Sequence, residues 1–122
     1  MDDRNRPLEV ATLRLIAAYG LVVKALKLLP LPIEVPAVLD SNVWTAEIRE
    51  SLVRTCELLN DLPMEEPFRA QVRLILIDWI TGSDVLFDAQ EEFADWKTDF
   101  ARIQADRITA SWHLVKAMHD RK

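Results

Sequence analysis

Residues 67–82 read PFRAQVRLILIDWITG, and seven of the nine positions from Val72 to Ile80 are apolar. A surface helix carries one apolar stripe, whereas a helix apolar nearly all round is buried. Whatever this chain folds into must surround that segment. Pro67 suits the first turn of a helix, and Gly82 suits the residue just past a helix end. The spacing therefore predicts a central helix over 66–81, with Arg69 and Arg73 as its polar edge.

The fold class follows from what is scarce. Gly20 and Gly82 are the only glycines in 122 residues, too few for the turns of a β-rich fold. Half the residues are apolar, which excludes disorder, and the length suits one domain. The expectation is an all-α, four-helix bundle-like domain over residues 1–122, with a buried third helix and a long C-terminal helix that pairs with a second copy.

Residues 1–6 read as a flexible arm. Leu8, Leu15, Tyr19, Val22, Leu26 and Leu29 share one helical face, flanked by Ala11, Ala18 and Ala25, which predicts a first helix over 7–29. Pro30, Pro32 and Pro36 make 30–40 an extended, Pro-rich connector, with Leu31, Ile33, Val35, Val38 and Leu39 laid on the core. Ser41, Asn42 or Thr45 can cap a second helix over 43–61, whose apolar face is Trp44, Ile48, Leu52, Leu59 and Leu62.

Past Gly82, Ser83 is a candidate cap, and neither Gly nor Pro occurs from 84 to 122. This predicts a fourth helix over 84–120, about 54 Å long if unbroken. That would overhang the domain or break, near Thr98 or Thr109. Leu86, Ala89, Phe93, Trp96, Phe100, Ile103, Arg107, Ala110 and Leu114 form a heptad seam along it, and Ile108, Trp112, Val115 and Met118 an offset second stripe. Residues 84–95 carry five acids and no base, whereas 96–122 carry six bases and three acids. Such a division suits the dipole of one long helix. It also makes Asp88, Glu91, Glu92 and Asp95 a candidate acidic patch for a basic partner.

No catalytic constellation is legible. His113 and His119 lack the Glu three residues earlier that a di-metal bundle needs, and no zinc spacing, phosphate loop or nucleophile elbow occurs. Cys56, the sole cysteine, reads as an inert thiol in an amphipathic helix and fits a cytoplasmic protein. No catalytic, cofactor-binding or metal-binding residue is assigned. The net charge of −5 argues against direct nucleic-acid binding. The longest uncharged run of the first helix, residues 15–23, is too short to span a membrane. What remains is surface for proteins. Trp and Arg are enriched at binding hot spots, so Trp96, Phe100, Ile103, Arg107 and Trp112 read either as core packed within the chain or as the candidate partner or dimer interface.

In its size, helical content, mild acidity, MDDRNRPLE start and lack of a catalytic site, the chain resembles small all-helical bacterial antiactivators of LuxR-type quorum-sensing regulators. The resemblance implies a non-catalytic cytoplasmic homodimer that binds a transcription regulator and blocks its dimerisation or DNA binding. The alternatives are a small helical enzyme or ligand-binding bundle, and a phage-type inhibitor or assembly protein.

Overall fold

The computed structural model describes residues 5–35 and 46–121. Its elements are α1 (Asn5–Lys27), α2 (Ala46–Leu58) continued by a 3-10 turn (Leu59–Asp61), α3 (Glu66–Glu91) and α4 (Asp95–Asp120). No strand occurs among the described residues, and the fold is an all-α bundle.

The apolar segment of 72–80 lies at the middle of α3, which touches each of the other three helices and packs most extensively on α4. Phe68, Val72, Ile75, Leu76, Trp79 and Ile80 are buried in it. The face read from α1 is the one buried: Leu15, Tyr19, Val22 and Leu26 enter the core, and Ala11, Ala18 and Ala25 give it a smooth flank. Trp79 seals this contact. Its Nε1–H donates to the Leu15 carbonyl at 2.9 Å, and its ring tilts against Tyr19 at 5.2 Å between centroids. Burial pushes the Tyr19 hydroxyl pKa up to about 12.

The turn between α2 and α3 is tied by the arginines that edge α3. Arg69 donates to the carbonyls of Leu59 (2.9 Å) and Leu62 (2.6 Å) and pairs with Glu66. Arg73 reaches the Asn60 side chain. At the far end Arg49 grips both oxygens of Asp84, at 2.7 and 2.9 Å. These ties run α2 antiparallel to α3.

Several boundaries differ from expectation. The apolar pattern of α3 does not stop at 81, and the helix runs through Gly82 and Ser83 to Glu91. Gly82 has no positive φ and ends nothing. It is buried where α4 approaches, and a Cβ there would lie 3.2 Å from Gln104 Cβ and 3.3 Å from Leu15 Cδ2. Ser83 is a buried mid-helix residue, not a cap. The break falls at 92–94 instead of Thr98 or Thr109, so each long helix is 26 residues, about 39 Å. Glu92 and Ala94 there adopt extended conformations open to any residue, so neither Gly nor Pro was needed.

α1 begins at Asn5, inside the expected arm, and ends at Lys27 in a turn held by Leu28 N–H on the Ala25 carbonyl. Ile33 and Val35 pack against the core, whereas Leu31 is exposed. The caps proposed for the second helix, Trp44, and the connector beyond Val35 lie outside the described residues.

Candidate functional site

α4 is sized the wrong way round for a helix that ends a core. Its buried side chains are Lys97, Thr98, Ala101, Gln104, Ala105, Ile108, Ser111 and Val115, mostly small. Small residues let two helix axes approach closely, and Gly82 on α3 does the same from the other side. The bulky residues face outward: Trp96 is 61% exposed, Ile103 56% and Leu114 50%. With half-buried Phe100, exposed Ala110 and exposed Arg107 they fill positions 96, 100, 103, 107, 110 and 114.

The predicted seam therefore divides in two. Leu86 and Ala89 lie on the buried face of α3, and Phe93 is half-buried in the turn. The three-residue break resets the helical phase, so the second half of the seam looks out of the bundle. Among the described elements α4 packs only on α3 and α1, both on its inner side. Trp112 is not part of this outer stripe, because it packs, partly buried, against the core together with Met118.

Arg107 belongs to the stripe by spacing and to the interior by charge. Its Nε lies 3.3 Å from Oδ2 of Asp78, whose side chain is 3% exposed. Gln104 donates to the other oxygen of Asp78 at 3.1 Å and to Thr81 Oγ1 at 3.0 Å. Arg107 is close enough to pair with Oδ2 but not aligned to hydrogen-bond it, and among the described residues nothing else does. Burial raises the Asp78 pKa, while Arg107 and Gln104 pull it back.

The acidic patch sits at the α3–α4 corner. Asp88, Glu91, Glu92 and Asp95 are all exposed. The dipole explanation for them does not hold. Asp88 and Glu91 occupy the last turn of α3, where the helix end is itself negative, and only Asp95 lies in a first turn. Lys97 offsets part of this repulsion. Its nearly buried ammonium donates to the Glu92 carbonyl at 2.6 Å, pairs with Asp88 at 2.6 Å, and stands 5.7 Å from the Trp96 ring centre.

Two grooves adjoin these features. One, of about 320 Å³, opens between Glu65, Pro67, Phe68, Met118 and Arg121. The other, of about 290 Å³, runs between α1 and α4 under the Arg14–Asp106 ion pair. Each is lined by a single acid and a single base. Among the described residues no three His, Cys, Asp or Glu side chains gather as metal ligands, and no helix is long and apolar enough to cross a membrane. Cys56 is half-buried, and burial pushes its thiol pKa up.

The outer placement of Trp96 and Ile103 could have been anticipated from the small residues at 101, 105 and 111, which mark the opposite side of α4 as the close-packed one. The Asp78–Arg107 pair carried no sequence signal, since its members sit on separate helices. No family model, curated protein or solved structure matches the chain.

Proposed function

We propose that this chain is a non-catalytic regulatory protein that binds and inhibits another protein through the outer face of α4. The sharpest form of this reading is an antiactivator that blocks the dimerisation or DNA binding of a transcription regulator in the cytoplasm. One observation carries it. Trp96, Ile103 and Leu114, three large apolar side chains the core does not use, are exposed in a line with Phe100 on one helix. An amphipathic helix with anchors at three- and four-residue steps is a standard element for occupying a hydrophobic groove or displacing a partner's own helix. Tryptophan and arginine on the stripe match hot-spot composition.

The test is a DNA gel shift with purified LuxR-type regulators from the same genome. Wild-type protein should abolish the shift of at least one regulator, and Ile103→Asp should leave it intact while keeping its helical circular dichroism. A wild-type protein that leaves every regulator on its DNA defeats the antiactivator reading.

A further inference from the structure

We propose that α3 and α4 are a hinged pair that straightens through residues 92–94 into one continuous helix over 66–120, so that two copies of this chain exchange their α4 helices. The bent chain and the exchanged dimer share the same interior contacts, and protein concentration selects between them. The exchange uses the inner faces that already form the core and does not call on the outer stripe of α4.

Spacing across the corner is the first argument. The buried line of α3 reaches the corner through positions 79, 82, 86 and 89, and that of α4 leaves it through 97, 101, 104 and 108. Half-buried Phe93 lies four residues from both 89 and 97. The same three-and-four rhythm runs back to Phe68 and on to Val115. Counted at about 100° per residue, the whole line stays within an arc of about 120° on one unbroken helix. It leaves the heptad seam by one residue after Phe93, passing to Lys97 instead of Trp96. A run of four-residue steps, 89 to 93 to 97 to 101, is a shift that a continuous helix absorbs by slight local unwinding.

The corner itself is made of residues a helix accepts. Glu92, Phe93 and Ala94 include neither Gly nor Pro, no positive φ occurs there, and no side chain caps the start of α4. Glu and Ala are good helix formers. Straightening gives the N–H groups of residues 93–96 the carbonyls of 89–92 and removes a negative helix end from beside Asp88 and Glu91.

Two terms favour the bent chain. Bending brings the Lys97 ammonium onto the Glu92 carbonyl at 2.6 Å, a carbonyl that the Trp96 N–H takes in a continuous helix. Bending also keeps the packing of α4 on α3 and α1 within one molecule, with no second copy to immobilise. At higher concentration that second cost shrinks, and each α4 can remake the same contacts on the other copy.

Refolding from urea at low and at high micromolar concentration, followed by size-exclusion chromatography, tests the exchange. Wild-type protein should return as a monomer at low concentration and acquire a dimer at high concentration. That dimer should revert slowly on dilution, because α4 must leave the core before it can fold back. Gly82→Cys with Gln104→Cys, in a Cys56→Ser background, identifies it. A Cβ at 82 lies 3.2 Å from Gln104 Cβ, close to disulfide spacing. In an exchanged dimer the oxidised pair links two chains and runs as a covalent dimer on a denaturing gel. In a dimer joined by surfaces alone the bond closes within each chain.

Asp95→Pro tests the hinge. Asp95 is the first residue of α4 and follows extended Ala94, a place proline accepts, whereas proline inside a continuous helix breaks it. The variant should keep the helical circular dichroism of the bent chain and weaken the dimer by about a hundredfold or more. Asp95→Ala should keep the dimer. A wild-type protein that stays monomeric at high concentration, a disulfide confined within single chains, or a dimer indifferent to Asp95→Pro each overturns the proposal.

Discussion

Arg107 and Asp78 make a pair in which the acid is buried and the base is half in water, with Nε 3.3 Å from Oδ2. Among the described residues, the exposed partner and one hydrogen bond from Gln104 are what offset the desolvation cost of a carboxylate enclosed between α3 and α4. Such a pair is weak as a source of stability and costly to break from one side.

Removing Arg107 should therefore hurt more than removing the charge it faces. Arg107→Ala is expected to cost about 1–2 kcal/mol at neutral pH, discounted for the exposure of the arginine. Asp78→Asn in that background should recover most of the loss. The Asp78 pKa is raised on folding, so the folded chain holds this proton more tightly than the unfolded one. Stability then falls as pH rises from the ordinary carboxylate value through the raised one. Arg107→Ala should steepen that fall and Asp78→Asn should remove it. Urea unfolding of the three variants across the acid range measures both.

The two glycines should respond oppositely to alanine. Gly20 is exposed in α1 with nothing within 4 Å of an added Cβ, so Gly20→Ala should stabilise by about 0.5–1 kcal/mol. At Gly82 the same helix-propensity gain meets Gln104 Cβ and Leu15 Cδ2 at close range. Gln104 Cβ is fixed to the backbone of α4, so the helices must part. Gly82→Ala is expected to destabilise by about 1 kcal/mol. Paired thermal melts decide, and a stabilised Gly82→Ala would show that α4 yields freely.

Lys97 should be the residue on which the corner depends. Lys97→Met keeps the packing length but removes the bonds to Glu92 and Asp88 and leaves four acids around a negative helix end. The expected cost is about 1–3 kcal/mol, with faster amide hydrogen exchange over 88–97. By contrast Arg102→Met, which breaks an exposed pair with Asp99, should cost under about 0.5 kcal/mol.

Cys56 should be a slow thiol. Its raised pKa leaves little thiolate at neutral pH, and half of the side chain is sheltered. Its reaction with a soluble disulfide reagent near pH 8 should run about tenfold or more below that of free cysteine, and reach the free rate in urea. A fast reaction in the folded protein would contradict the burial described.

Periodicity made the class and the inner faces of α1 and α3 readable, because each buries its large side chains. It failed where the chain used other means. The end of α3 is punctuated by extended residues at 92 and 94, so a search for Gly and Pro passed over it and stopped ten residues early at a glycine that serves packing. On α4 the heptad spacing revealed which residues share a face, but spacing alone does not say on which side the bundle lies. The small side chains of Ala101, Ala105 and Ser111 decided that, a signal separate from the heptad spacing. Asp78 announced itself as a polar interruption of an apolar run, but its partners lie 26 and 29 residues away on another helix.

The inverted sizing of α4 frees two selections that usually compete within one helix. A thermal-shift screen would register changes at Ala101, Ala105 or Ile108 and pass over Trp96, Ile103 and Leu114. Lineages could retune what this protein grips at those outward positions without first acquiring stabilising mutations elsewhere. An engineer could likewise randomise Trp96, Ile103 and Leu114 as a display surface, because the core beneath them does not depend on what is displayed, while keeping Arg107 for the buried Asp78.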